Sequence, residues 1–279
     1  MKFNRSIILS IIKQASMTLL VLTMLMLFGS HNVLGQKPYE GKSILAVFAH
    51  PDDESTIAPI LAKYSREGAK VTLVIVTDGR YGVNDFHDHI AGETLVVTRK
   101  EEMKCAAEKL GSDLIHLEYH DQLKAAEGYD GHVPHARDMI LELKGIVDKL
   151  QPDVLITWGP DGGSTHMDHR LVGASVTQVY LSLDRPSSVS LFYYGTPLEN
   201  IEDADSKTLR GQNKKYLRTT IAYSDEDLDK AYDSYKCHYS QIDPTLTKQE
   251  FKNWRSKNEQ VIYLRKFEAP TKDSESVFE

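Results

Sequence analysis

Apolar and polar positions along the chain change period in a regular way. Residues 44–48 (Ile-Leu-Ala-Val-Phe) are an unbroken apolar run and predict a strand buried on both faces, as in a parallel sheet. Ile57, Ile60, Leu61 and Tyr64 then recur at helical spacing up to Gly68, with Pro59 tolerated in the first turn. Residues 70–77, rich in β-branched side chains, predict a second strand, and Asp78-Gly79 turns the chain. Met103, Ala106, Ala107 and Leu110 form a helical face stopped by Gly111, with Thr98 and Glu101 at capping-box spacing. Residues 113–118 predict a third strand. Met139, Ile140, Leu143, Ile146, Val147 and Leu150 make the clearest amphipathic helix, ended by Pro152, and residues 154–158 are a fourth strand. Residues 80–92 and 120–135 read as irregular loops.

The last third has a weaker pattern. Residues 188–194 and 216–223 read as strands, and 198–209 as a polar loop. Ser224 with Asp225, Glu226 and Asp227 starts a helix running towards Gln241. The alternation of strand and helix predicts an α/β fold: a single Rossmann-like domain over residues 41–268, its mostly parallel sheet flanked by helices. In open sheets of this kind ligands bind beyond the carboxyl ends of the strands.

Chemistry collects at those ends. The first strand runs into His50-Pro51-Asp52-Asp53-Glu54, and the fourth into a loop that ends His166-Met167-Asp168-His169. A helix cap accounts for one acid and for no imidazole. Imidazoles with a carboxylate suit zinc, and a catalytic zinc keeps three protein ligands and an open position. The residues alone therefore point to metal-assisted hydrolysis at the strand carboxyl ends. His87, His89, His120, His132 and His135 lie in the loops without a comparable spacing to acids.

The run Ala49-His50-Pro51-Asp52-Asp53-Glu54, followed by His166-Met167-Asp168-His169, resembles the two motifs of the PIG-L/LmbE-like family of zinc-dependent N-deacetylases. The resemblance spans residues 43–169, with a weaker echo in Lys236-Cys237-His238-Tyr239-Ser240-Gln241. It implies that His50, Asp53 and His169 hold Zn2+, with Fe2+ as the other candidate, and that Asp52 is the general base. His166, if protonated, would stabilise the oxyanion and assist amine departure, with Asp168 pairing with it to favour the charged form or capping the next helix. Arg99 and Asp121 would hold sugar hydroxyls, although Arg99 reads equally as a helix-surface charge. Tyr81, Phe86 and Tyr129 read either as a platform for a sugar face or as loop packing. The chain departs from the family pattern at Arg80, where an acid is common, and at Ser164, where some members carry a tyrosine. The implied activity is removal of an N-acetyl group from an amino sugar or glycoconjugate. The alternatives are an amidase of other sugar conjugates on the same metal site and a non-catalytic carbohydrate-binding protein.

Charge and the amino-terminal pattern add two expectations. The formal charge of −7 over 279 residues argues against nucleic acid as a partner. Lys2, Arg5 and Lys13 precede an apolar run at 17–28, and Val33-Leu34-Gly35 offers a cleavage site before Gln36. That is the pattern of a secretory signal peptide over residues 1–35. It implies a periplasmic or secreted protein without stable membrane insertion, the rival being an uncleaved anchor. Residues 269–279 read as a flexible polar tail. Export permits a bridge between the two cysteines, Cys105 and Cys237, but Cys105 reads at least as well as a buried free thiol in a helix.

Overall fold

A computed structural model of the chain describes residues 37–184, 188–256, 259–270 and 272–278. The segment expected as a signal peptide lies outside them. The strands read from the sequence form β1 (Ser43–Phe48), β2 (Lys70–Thr77), β3 (Asp113–Tyr119), β4 (Val154–Trp158) and β5 (Ser190–Tyr194), all paired in parallel. Between them run α1 (Ala58–Arg66), α2 (Glu93–Leu110), α3 (Tyr129–Leu150) and α4 (Met167–Leu181). After β5 come a two-residue pair, β6 (Thr196–Pro197) and β7 (Gly211–Gln212), around α5 (Ala204–Arg210). Then follow β8 (Thr219–Ala222), α6 (Asp225–Tyr235), α7 (Pro244–Ser256) and β9 (Val261–Lys266). The main sheet has the order β3-β2-β1-β4-β5-β9-β8, with β9 antiparallel to both neighbours. It is an α/β fold with a mostly parallel sheet flanked by helices.

The alternation inside β1 assigns its side chains to two cores. Ile44, Ala46 and Phe48 pack with Ile57, with Ile60 and Leu61 of α1, and with Met103, Ala106 and Leu110 of α2. Leu45 and Val47 pack on the other face with Met139, Leu143 and Val147 of α3 and Val172, Val176 and Val179 of α4. A strand covered on both sides has no polar face, which is why residues 44–48 carry no polar position.

The order of the sheet reverses between β1 and β4: the chain leaves β1 towards β2 and β3, and leaves β4 towards β5. His50 follows β1 and the 159–169 loop follows β4, so both motifs open into the crevice at this switch point.

Several local expectations give way to tertiary context. α2 begins at Glu93, so Thr98 lies inside it, its hydroxyl on the Thr94 carbonyl, and no capping box forms. α3 begins at Tyr129 and carries Pro134 within it, where residues 120–135 read as a loop. The segment 198–209 holds a short helix rather than only loop, and α6 stops at Tyr235 instead of reaching Gln241. α7 and β9 have no counterpart in the sequence reading. Cys105 and Cys237 are joined in a disulfide across 132 residues, so neither is a free thiol. Among the described residues no helix is long and apolar enough to cross a membrane.

Candidate active site

Beyond β1 the chain turns through His50, Pro51 and Asp52 into a 3-10 turn, Asp53–Thr56. Asp53 supports that turn itself. Its Oδ2 accepts from the main-chain N–H of Ala49 (3.0 Å) and His50 (2.9 Å) and from the indole Nε1 of Trp158 (3.2 Å). Three donors occupy Oδ2, and Oδ1 faces His169 Nε2 at 3.1 Å. Burial alone would raise the Asp53 carboxyl; the bonds to His169 and His50 outweigh it and hold it well below the usual carboxylate range.

His169 lies in the first turn of α4. Its Nδ1 is 2.8 Å from the Gly162 carbonyl, which can only accept, so Nδ1 carries the proton and Nε2 presents its lone pair. Trp158 stacks on the ring with centroids 4.4 Å apart and planes at 2°. Gly163, at φ +65°, lies against that indole, where a Cβ would collide with it.

His50 is held in the opposite sense. Its Nε2 lies 3.1 Å from Asp168 Oδ2 and 3.2 Å from Asp121 Oδ1, so the proton sits on Nε2. The remaining nitrogen, Nδ1, faces His169 Nε2 at 3.1 Å and Asp53 Oδ2 at 3.6 Å. Burial disfavours a second proton on this ring, but Asp121, Asp168 and Asp53 overcome it and raise its pKa well above the ordinary histidine value.

The three groups thus converge: His50 Nδ1 lies 3.1 Å from His169 Nε2, and Asp53 meets His169 through Oδ1 (3.1 Å) and His50 through Oδ2 (3.6 Å). Ligands about 2.0–2.1 Å from a tetrahedral zinc lie about 3.3–3.4 Å from one another. Each imidazole has its far nitrogen tied to an acceptor, which fixes the tautomer that donates to a metal. Two imidazoles and one carboxylate suit a divalent ion of zinc's class. His166 also approaches: the imidazoles of His50, His166 and His169 offer nitrogens within 4.8 Å of one another, and His50, Asp121 and Asp168 form a second such group.

Asp52 diverges from the triangle. It adopts φ +104°, and its Oδ2 accepts from Arg99 Nη2 at 2.8 Å. Burial raises its carboxyl, Arg99 pulls it back and the adjacent Asp53 adds to the rise, with a net shift above the ordinary value. Arg99 is only 3% exposed, so it is no surface charge. Its guanidinium also donates to the carbonyls of Gly79 (3.1 Å) and Pro51. A Cβ at Gly82 would collide with that guanidinium.

The remaining candidates are engaged with protein groups. Asp121 is buried and spends its oxygens on His50 and on the Tyr81 N–H (3.1 Å). Asp168 bonds His50 and the Gln122 N–H (2.9 Å) with Oδ2, so its carboxylate does not pair with His166. Its main-chain N–H instead donates to His166 Nδ1 at 3.2 Å, which makes His166 the N-cap of α4. Nδ1 of His166 is then an acceptor and Nε2 carries the proton. Burial, with His50 and His169 close by, lowers the His166 pKa and keeps the ring neutral near pH 7. Arg80 grips Asp78 through Nε (2.9 Å) and Nη2 (2.6 Å), and Ser164 Oγ lies 3.4 Å from His169 Nδ1. Tyr81, Phe86 and Tyr129 are exposed.

Sequence reasoning missed Trp158, which closes an apolar strand and reads as core. It also missed the join between Glu54 and His238, whose side chains meet at 2.7 Å across 184 residues.

The family model described as GlcNAc-PI de-N-acetylase, PIG-L, matches residues 45–180. The chain is 34% identical over 148 residues to 1D-myo-inositol 2-acetamido-2-deoxy-alpha-D-glucopyranoside deacetylase of Corynebacterium glutamicum, covering 46% of this chain and 49% of that protein. It spans about half the length of the curated relatives it matches first. In fold it is similar to N,N'-diacetylchitobiose deacetylase from Pyrococcus horikoshii, with a TM-score of 0.61 at 19% identity over 81% of this chain and 84% of that one. It is also similar to the 4-carboxy-2-hydroxymuconate hydratase GalB from Pseudomonas putida, with a TM-score of 0.60 at 15% identity over 84% of this chain and 100% of that one. Two such different chemistries on one fold leave the assignment to sequence and site. Both histidine–aspartate motifs lie inside the segment, residues 45–180, over which the chain is similar to the PIG-L family.

Proposed function

We propose that the protein is an exported, metal-dependent hydrolase that removes the N-acetyl group from an N-acetylated amino sugar or its conjugate. The observation that carries this reading is the donor triangle of His50, Asp53 and His169 beside a carboxylate, Asp52, that Arg99 holds apart from it. Zinc suits the donors best, with ferrous iron as the other candidate; when bound, the ion supplies Lewis-acid chemistry, polarising an amide carbonyl and lowering the pKa of water.

The chain's own groups then have distinct tasks. Asp52, with its pKa raised, takes a proton from the attacking water, and Oδ2 on Arg99 leaves Oδ1 for that purpose. The neutral His166 ring, held through Nδ1 by the cap, offers Nε2–H to the oxygen on which negative charge develops. As the C–N bond breaks, the amine takes the proton that Asp52 held, and acetate is left. Asp121 and Asp168 keep the His50 ring in one tautomer.

The sugar part of the reading is supported by the names of the relatives, a deacetylase of an acetamido-glucopyranoside among them. The exposed rings of Tyr81, Phe86 and Tyr129 offer apolar faces of the kind sugars pack on. Export is supported by the amino-terminal pattern and by the Cys105–Cys237 bridge, since disulfides persist in oxidising compartments.

The test is acetate release from a panel of N-acetylated amino sugars and conjugates, with and without chelator. We expect release from at least one of them, loss on chelation and recovery with zinc. His50→Ala, His169→Ala double substitution should abolish both metal binding and activity. Cleavage of other acyl groups only makes the protein an amidase, and tight sugar binding without cleavage makes it a binding protein. Protein from its own host should begin near Gln36; an intact Met1 replaces the cleaved signal with an anchor.

A further inference from the structure

We propose that His238 and Glu54 are positioning residues that hold Asp52 in its working conformation; the inference rests on the reading of Asp52 as general base. Asp52 is not glycine, yet its φ is +104°. Such backbone costs on the order of 1–3 kcal/mol and persists where its surroundings over-determine it. One restraint is its own N–H, which donates to Glu54 Oε2 at 3.1 Å. The other oxygen of Glu54 accepts from His238 Nε2 at 2.7 Å, and both side chains are 0% exposed.

His238 is itself anchored. Ser240 donates its N–H (2.7 Å) and hydroxyl (2.8 Å) to the Glu102 carboxylate, and Cys237 is bonded to Cys105. Glu102 and Cys105 belong to α2, the helix that carries Arg99. α2 therefore holds Asp52 twice: its carboxylate directly through Arg99, and its main chain indirectly through His238 and Glu54. Without the His238 donor, a fully buried Glu54 carboxylate keeps only part of its hydrogen bonding and must turn towards other donors. The Asp52 N–H then loses its acceptor, the backbone relaxes out of the left-handed region and the carboxylate swings away from its place beside the triangle. Asp53 is anchored separately, by Ala49, His50 and Trp158, so the metal donors stay in place.

Two amide variants separate positioning from simple stability. In His238→Gln the amide N–H reaches the place of Nε2; in His238→Asn it falls short of Glu54. On a substrate the wild type cleaves, His238→Asn should lose kcat by on the order of 10²-fold, the scale of a misplaced catalytic group. KM and zinc content should stay within about twofold of wild type. His238→Gln should recover most of kcat. A crystal structure of zinc-loaded His238→Asn should show Asp52 at negative φ and its bond to Arg99 broken. Unchanged kcat in His238→Asn, a loss that follows metal content, or an Asp52 still at φ near +100° overturns the proposal. If the wild type cleaves no substrate of the panel, the proposed function fails, and the crystal structure alone then decides the positioning role. If His238→Asn does not fold, Glu54→Ala takes its place in the same measurements, with the same outcomes.

Discussion

Asp52 and Asp53 are neighbours in the chain yet answer to different partners: Asp53 faces two imidazoles, while Asp52 faces Arg99 at 2.8 Å. Their substitutions should therefore part company. Asp52→Asn should keep metal and fold but lose turnover by about 10²–10⁴-fold, with kcat falling and KM little changed. Asp53→Ala should lower metal affinity, and excess zinc should restore part of the activity. Metal content measured beside kcat decides between the two roles, and the reverse pattern exchanges them.

Trp158 gives a finer test of the same site. Trp158→Phe keeps an aromatic face for His169 but removes the N–H that reaches Asp53 Oδ2. Groups that orient metal ligands are typically worth about 10–100-fold in metal affinity or activity. We expect a loss near the lower end of that range, read by competition with a chromogenic chelator. An affinity equal to wild type makes the indole a packing group only.

How much of this was legible before the structure depends on distance along the chain. β1 and β4 were read because a strand covered on both faces shows it in five consecutive residues, and the motifs sit directly after them. The pairing of Arg99 with Asp52 was not, because its partners lie 47 residues apart and nothing local marks a buried arginine. Likewise Asp168 was read through its nearest histidine, whereas the sheet delivers His50 to its carboxylate from 118 residues away. The start of α3 was missed for a different reason. Pro134 and the glycines at 128 and 131 argue for loop locally, but they fall in the first turns of a helix whose later residues Met139, Leu143 and Val147 join one core with the sheet.

The disulfide yields a stability prediction. It closes a loop of 132 residues, and removing such a bridge costs about 2–5 kcal/mol. The Cys105→Ser, Cys237→Ser variant should unfold at lower denaturant than wild type. Reductant should bring the wild type to the same midpoint; equal midpoints without reductant mean that the bridge is absent in solution.

A pH dependence follows from a pair far from the metal donors. Asp227, 1% exposed, caps α6 through Ser224 (2.7 Å to the hydroxyl) and accepts from Arg66 Nε at 2.9 Å. Burial would raise its carboxyl, but Arg66 and Ser224 prevail and lower it. A lowered folded-state value stabilises above the unfolded pKa of about 3.9, and the contribution is lost as pH falls through the folded value. Asp227→Asn should therefore cost about 1.5–3 kcal/mol at pH 7. The gap from wild type should close below about pH 4. A gap independent of pH assigns the effect to shape rather than charge.

The pairing of Ile44 with Val154 brings the halves of the donor triangle together only once β4 has docked beside β1. An ion held there is bound by the finished sheet and by no shorter piece: a fragment ending before Met167 lacks His169 altogether. By mass action such an ion favours the folded chain, by about 2.7 kcal/mol at a free concentration one hundred times its Kd. With an ion in the triangle, as proposed, the temperature at which this protein melts becomes a gauge of the metal supply around it, and the same chain without one meets heat and proteases with a smaller reserve.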